Sequence, residues 1–496
     1  MIILKKIICL VLSLVVIITV SFPIAVYGNV KSYNSKAHLI QEGDYSYADT
    51  SVNSVSLDSN TVTEIENLIY KNLIECNNSF NIAKFEFSLE QFLVEFPIIY
   101  SNVINNHPEL FYVSSNINFN YNQNTPYLVI SVFPLYTMSK EEILSAKIDF
   151  DNEINRIISK TDDTMTDLQK ALTVHDYICS LAIYPTLIFN DKNECTNDKD
   201  IYHSAYGFVK DRKIVCAGYA LIYSAVMNKL NIPCRYVISD GMKHAWNAIC
   251  IDNKWYNVDL TWDDTSYCST NENDMSKFSH TNFLKSQSDF ETNRGHYDIK
   301  YPDGIECTDT TYDNAFWDNY ISNIYSYKGD YYYLDLDTEN FKINIIKRDK
   351  NGNTAIINKN IYKSMYSKYS SGISSPYAYL VKIGNVLYFT ASNSTSSRLY
   401  YYDLLTNKEN EFKTFSNRNM GLGEIDGTLY YALLDDKYSY NHLDKLDIFM
   451  ELYNATSSVY GFSPYLDINR DGYINAKDYA SIYISQKNKQ FINFFY

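Results

Sequence analysis

Residues 243–262 read KHAWNAICIDNKWYNVDLTW. Two runs rich in aromatic and β-branched residues flank Asp252-Asn253, and these residue types suit a two-residue β-turn, so the segment reads as strand, tight turn, strand. With such a turn the register follows by counting. Ile251 pairs with Lys254, Trp246 then faces Asp259, and His244 faces Thr261. Paired residues share a face, so His244 and Asp259 are diagonal neighbours, with Cβ atoms roughly 6–8 Å apart if no bulge intervenes. At that spacing a carboxylate can reach an imidazole, orient it and stabilise its protonated form.

A candidate nucleophile lies upstream, in KIVCAGYALIY at 213–223. After Cys216, the residues Leu221, Ile222, Ala225, Val226 and Leu230 fit one helical face, and Pro233 follows the end. Cys216 therefore sits at or just before a helix N-terminus. The unpaired amides and dipole at a helix start favour a thiolate and offer donors to an oxyanion. A catalytic thiolate is usually partnered by histidine, and His244 has the required setting. His107 and His175 read as turn and helix residues with structural partners.

Cys216-AGYA at a helix start, HAWN about thirty residues later and WYNVDLTWD after the turn together resemble the transglutaminase-like superfamily, a papain-like thiol fold. The upstream HDYI and SAYGFVKDRKIVCAGYA fit its bacterial branch, and NNHPELFYV suits the region preceding such a core. The resemblance is specific over roughly residues 166–265. It implies Cys216 as nucleophile, His244 as general base and acid, Asp259 as the orienting carboxylate, and Trp246 as a wall of the site. The implied chemistry is attack on a carboxamide or peptide carbonyl through a thioester, completed by water or by an amine. The sequence leaves hydrolysis and transamidation open.

The chain has 496 residues, too many for one ordinary core, so two to four domains are expected. A formal charge of −15 without a dense Lys/Arg block disfavours nucleic-acid binding. The N-terminus has Lys5 and Lys6, an apolar run Ile7–Val20, and Val26 and Gly28 at the −3 and −1 positions of a cleavage site. It reads as a secretory signal peptide, with a retained anchor as the alternative. Export permits disulfides among Cys76, Cys179, Cys195, Cys216, Cys234, Cys250, Cys268 and Cys307, but spacing does not give their connectivity. Cys234 and Cys250 either pair or stay buried as thiols.

Helices are expected over Thr61–Cys76 and Ser88–Asn106, and a strand over Thr125–Pro134. Capping boxes at Ser139–Glu142 and Thr166–Gln169 open two more helices, the second running to about Leu181. From about Phe316 to Ala432 the stretches YKGDYYYLDLDTENF, IGNVLYFTASNSTSSRLYYYDLLTNKEN and IDGTLYYALLDD loosely repeat a Gly turn and an aromatic strand. Antiparallel hairpins follow, arranged either as propeller-like blades or as an irregular sheet.

Residues 467–478 read DINRDGYINAKD. Asp467, Asn469, Asp471, the Tyr473 carbonyl, Asn475 and Asp478 stand at the spacing of a Ca²⁺ loop, with Gly472 at the turn. With the following YASIYIS, the loop resembles the calcium repeat of a type I dockerin, though Asp replaces the usual EF-hand Glu at the last position. A first repeat near residues 433–444 is degenerate or absent. The resemblance implies structural Ca²⁺, no cofactor for catalysis, and a cohesin module of a scaffoldin as partner, with Ala476 and Lys477 at the recognition positions.

The expected fold class is therefore α+β and multidomain: a signal peptide (1–28), a mostly helical region (29–160), a papain-like transglutaminase core of a Cys-bearing helix and antiparallel sheet (161–312), a Tyr-rich antiparallel β region (313–432) and a small helical dockerin-like tail (433–496). The leading expectation is a secreted, extracellular cysteine enzyme acting on a protein or peptide substrate and docked to a cellulosome, in a polysaccharide-catabolism context, with no membrane attachment after signal removal. A non-catalytic assembly component is the alternative. A glycoside hydrolase ranks below both, because no distinctive carboxylate pair is present. Polysaccharide binding by the tyrosine runs 331–333 and 400–402 stays open.

Overall fold

The computed structural model describes residues 16–20, 57–122, 127–185, 199–264, 278–320, 323–337, 342–357, 368–369, 372–373, 380–392, 397–415, 419–425 and 428–433. The calcium loop, its recognition residues, Cys195, Cys268 and most of the leader lie outside these residues. Among the described residues no helix is long and apolar enough to cross a membrane.

The chain divides into two compact units. One comprises Met1–Asn155, Ala182–Thr261 and Leu284–Asp313, the other Arg156–Leu181, Trp262–Phe283 and Asn314–Tyr496. In chain order the first elements are β1 (Val16–Val20), α1 (Ser59–Ile74), β2 (Phe80–Asn81), α2 (Leu89–Asn106), β3 (Val113–Tyr121), β4 (Val129–Tyr136) and α3 (Lys140–Ile158). Then come α4 (Asp167–Leu181), α5 (Ala205–Asp211), α6 (Cys216–Lys229), β5 (Cys234–Ser239), β6 (His244–Ile251), β7 (Lys254–Val258), a single turn α7 (Leu260–Asp263), β8 (Phe283–Lys285), α8 (Gln287–Asn293) and β9 (Ile299–Lys300).

The N-terminal region is less helical than its sequence suggests. Its helices pack on an antiparallel sheet of order β1-β3-β4-β2. The β1 strand falls inside the segment read as a leader and pairs along one edge of β3. Side chains alternate along β3, with Val113, Ser115, Ile117 and Phe119 buried, and Val113, Ile117 and Phe119 share one core with Phe92, Phe96 and Ile99 of α2 and Ile65, Ile69 and Leu73 of α1. Helix starts follow the capping residues. Asp58 accepts from the Asn60 and Thr61 amides at α1, and Ser88 from the Gln91 amide at α2. Both capping boxes form: the Ser139 amide donates to Glu142 (2.8 Å) and the Thr166 amide to Gln169 (3.1 Å). The strand expected at 125–134 is shifted to Val129–Tyr136.

The central sheet has the order β8-β7-β6-β5-β9. The β6–β7 hairpin keeps the counted register, Ile251 opposite Lys254 and Asn247 opposite Val258. Asp252 and Asn253 both take left-handed φ values, 52° and 62°, which a two-residue turn of the primed type requires. Helix α6 packs on β5 and β6, and Asn247 Nδ2 ties the strand to the Ala220 carbonyl at 3.0 Å. The expected single apolar stripe on α6 is a correction: Cys216 through Ser224 are all buried, so this helix lies inside the core. On the sheet's other side Val237, Trp246 and Ala248 pack with Phe290 and Cys307. Cys234 and Cys250 are free thiols, because Cys234 pairs with Ile249 and Cys250 falls beyond the strand partner. Cys76, Cys179, Cys216 and Cys307 are also free.

In the second unit, the tyrosine-rich stretch forms antiparallel meanders. Strands β10 (Tyr325–Tyr327), β11 (Asp330–Asp337), β12 (Lys342–Arg348) and β13 (Thr354–Ile356) make one four-stranded sheet. After the short hairpin β14 (Lys368–Tyr369) and β15 (Gly372–Ile373), strands β16 (Leu380–Ile383), β17 (Val386–Ser392), β18 (Ser397–Asp403) and β19 (Lys408–Phe415) make another. A last hairpin joins β20 (Asn419–Ile425) and β21 (Thr428–Leu433). The hairpins at Gly329 and Gly384 are thus present, and the described strands form separate antiparallel sheets of four or two strands. Tyr332 and Ile345 of the first sheet pack with Leu387, Phe389, Tyr400 and Tyr402 of the second.

Candidate active site

The chain entering α6 is held before the helix begins. The Val215 amide donates to the Tyr202 carbonyl at 2.9 Å, and Val215 is extended (φ −100°, ψ −178°). Helical geometry starts at Cys216 itself. Two residues on, a Cβ at Gly218 would lie 2.6 Å from the Tyr202 carbonyl oxygen and 2.7 Å from Ile214 Cβ, so only glycine lets the first turn press this close. The thiol of Cys216 sits at that turn, 5% exposed.

His244 is the first residue of β6 and pairs with Ser239 of β5. Its Nε2 meets Asp259 Oδ2 at 2.7 Å, and its ring is hydrogen-bonded to the Cys216 thiol. With Nε2 committed to Asp259, the other ring nitrogen, Nδ1, is left for the sulfur. Asp259 stands directly after β7 and is fully buried. Its Oδ1 accepts the Thr261 amide at 2.9 Å, so the carboxylate is anchored by the backbone turn that follows the strand. The structure thus brings together Cys216, His244 and Asp259, from one helix start and one hairpin.

Burial alone would lower the His244 pKa. The Asp259 charge and hydrogen bond, together with the Cys216 thiol, outweigh it and raise the group to about 10. Burial would raise the Asp259 pKa, but the two imidazoles that face it hold it well below the usual carboxylate range. The pair is therefore imidazolium and carboxylate at neutral pH. Trp246 is a wall, as its position suggests: its ring centroid is 5.7 Å from that of His244 and its Nε1 donates to Asn257 Oδ1 at 3.0 Å.

A residue that sequence reasoning did not find is His296. Its Nε2 lies 3.0 Å from Asp259 Oδ2, the same oxygen that holds His244. It arrives from beyond α8, outside both the helix and the hairpin, and RGHYD carries no pattern that would single it out.

The second unit contains the same residue types in a different environment. His175 lies between Asp176 Oδ1 (3.0 Å) and Asp263 Oδ2 (3.1 Å), with the Cys179 sulfur 3.8 Å from its Nε2. His280 joins Asp176 Oδ1 (2.9 Å) to the Tyr320 carbonyl (2.9 Å). Here burial pushes the Cys179 thiol up to about 12, against the pull of His175. His175 is completely buried, whereas His244 keeps 7% exposure. This supports the structural reading of His175. Two groups, His175–Asp176–His280 and His244–Asp259–His296, have atoms close enough to surround an ion. Their N···O separations of 2.7–3.0 Å are those of N–H···O hydrogen bonds. A tetrahedral ion with ligand bonds of about 2.0–2.2 Å holds its ligands about 3.3 Å or more apart, so protons account for both groups.

Of the tyrosine runs, Tyr332, Tyr333, Tyr400 and Tyr402 are buried, and three of these rings serve the core between the two meanders. Asp467, Asn469, Asp471, Tyr473, Asn475 and Asp478 lie outside the described residues.

Residues 154–260 match the model of the transglutaminase-like superfamily, so this stretch is a transglutaminase-like domain, and it includes Cys216, His244 and Asp259. A solved structure titled "Crystal structure of a TGase" is similar at 14% identity and a TM-score of 0.22, over 32% of this chain and 45% of that chain. The chain thus spans under half the length of that relative. A comparison with curated proteins returns no match. A transglutaminase-like domain is consistent with a cysteine-based enzyme.

Proposed function

We propose that the protein is an acyl-transferring cysteine enzyme that acts on protein amide or peptide bonds through a Cys216 thioester. The observation that carries this reading is the contact chain Cys216–His244–Asp259, with Nε2 of the imidazole 2.7 Å from the carboxylate. In the reactive pair the Cys216 proton already resides on His244, and the thiolate sulfur forms a bond to the carbonyl carbon. The resulting oxyanion faces the first-turn amides of α6, which have no intrahelical acceptor. As the C–N bond breaks, His244 returns the proton to the departing amine or ammonia. Water or an amine then attacks the thioester, His244 takes its proton, and the Cys216 thiolate leaves, which restores the imidazolium–thiolate pair. Asp259 holds the imidazole and stays ionised throughout.

The substrate is a protein or peptide carboxamide. The N-terminal sequence supports export, and the oxygen donors at 467–478 support a structural Ca²⁺ loop that docks the enzyme to a cohesin. Neither feature enters the chemistry. If the loop works so, Asp467→Ala abolishes calcium-dependent pull-down by cohesin, and an unchanged pull-down rejects it.

The catalytic test is activity against a glutaminyl and peptide substrate panel. Cys216→Ala is expected to lose all turnover, whereas Cys250→Ala, a thiol on β6 away from His244, keeps it. Turnover retained by Cys216→Ala rejects the reading.

A further inference from the structure

Asp259 Oδ2 accepts from two imidazoles. His244 Nε2 is at 2.7 Å and His296 Nε2 at 3.0 Å, while Oδ1 is taken by the Thr261 amide. The His296 ring has little freedom to be elsewhere. It stacks on Phe290 (centroids 4.1 Å, 27°) and meets the edge of Trp246 at 5.0 Å. Its own amide donates to the Phe290 carbonyl at 3.0 Å, and Gly295, at φ 77°, turns the chain from α8 so that the ring enters the aromatic slot. The ring is 1% exposed. An imidazole nitrogen aimed at an ionised carboxylate oxygen carries its proton, so His296 donates.

We infer that His296 is a positioning residue for the reaction: it shares Asp259 Oδ2 with His244, pins the carboxylate, and limits how strongly Asp259 holds the proton on His244. The inference rests on the Cys216–His244–Asp259 reading and deepens it. The physical argument has one sign. A second donor on Oδ2 stabilises the carboxylate charge and draws electron density away from the bond to His244. Taking that donor away leaves Asp259 more basic and gives His244 the undivided charge. The His244 imidazolium then persists to higher pH. The titratable groups facing His244 and Asp259 in this argument are Cys216 at the start of α6, His296 after α8, and each other.

The experiment is the pH dependence, from 4 to about 11, of Cys216 alkylation by iodoacetamide, read by peptide mass spectrometry in the full chain. His296→Phe keeps ring volume and stacking but has no donor. His296→Gln retains an N–H. The upper inflection of the wild-type profile, where His244 loses its proton, is expected to rise by about one pH unit in His296→Phe, and by clearly less in His296→Gln. An unchanged inflection in His296→Phe overturns the inference. A wild-type profile with a single ordinary thiol rise, unaltered by His244→Ala, instead rejects the underlying Cys216–His244 reading. Should His296→Phe fail to fold, ring ¹⁵N spectra of the unsubstituted protein decide. A proton on His296 Nε2 at neutral pH, with a signal displaced by Asp259→Asn, is expected. A bare Nε2 overturns the inference.

Discussion

Two oxygens of Asp259 receive three donors, and the site's chemistry depends on how they are shared. The position of Asp259 was legible in the sequence, because a two-residue turn fixes register and register fixes faces. Its anchoring by Thr261 and its second imidazole were not. His296 is 37 residues from Asp259, and no local periodicity connects the two. Asp259→Asn removes the charge that keeps His244 protonated and reverses the preferred tautomer, so turnover should fall by about two orders of magnitude or more with the fold retained. The wild-type alkaline limb should lie near pH 10, where His244 loses its proton, and Asp259→Asn should move it down, as a pH–rate profile would record. The same pair contributes to stability with definite signs. The raised His244 group stabilises fully below its unfolded value of about 6.5 and loses this as pH rises through about 10. The depressed Asp259 group stabilises above about pH 4 and loses this as pH falls through its lower folded value.

At the level of elements, local rules read the starts well. Capping boxes announced α3 and α4, and the Asp252-Asn253 turn announced the hairpin. The burial of α6 was harder to see. Leu221, Ile222 and Val226 suggested a stripe, yet Tyr219 and Tyr223 are 1% and 0% exposed as well, since the helix is covered from several directions. Only tertiary packing decides that. The strand β3 did carry a signal: in VSSNINFNY the apolar residues alternate with asparagine, and the buried positions follow that period. The α6 start makes a specific prediction. Gly218→Ala places a Cβ against the Tyr202 carbonyl and Ile214, so a backbone shift follows, at a cost of about 1–3 kcal/mol. Thermal melting should show the loss, and Cys216 alkylation should slow because the thiol moves relative to His244. Unchanged melting would mean the helix start is looser than its contacts indicate.

For the whole molecule, one unit carries Cys216, His244 and Asp259 and the other the buried His175–Asp176–Asp263–His280 network. The sequence marked the boundary of texture at the tyrosine-rich strands, but could not show that 156–181 and 262–283 group with them, because those contacts are far apart in the chain, 40 residues between His280 and the Tyr320 carbonyl and 148 between Asp176 Oδ2 and the Ile324 amide (2.7 Å). His175→Gln removes one cation from between two buried carboxylates. A loss of about 3–5 kcal/mol is expected. His175 is raised and Asp176 lowered relative to their usual values, so the difference in melting from wild type should be largest between about pH 4 and 6.5 and shrink on either side. A difference independent of pH would assign the loss to packing alone. The account as a whole turns on whether Cys216 becomes acylated. Rapid acid quenching during turnover of an amide substrate, followed by peptide mass spectrometry, tests this directly. The predicted result is an acyl mass on the Cys216 peptide, released by hydroxylamine and absent in Cys216→Ala, with none on the more exposed Cys250. Turnover without any acyl mass on Cys216, or acyl mass on Cys250 instead, would contradict it.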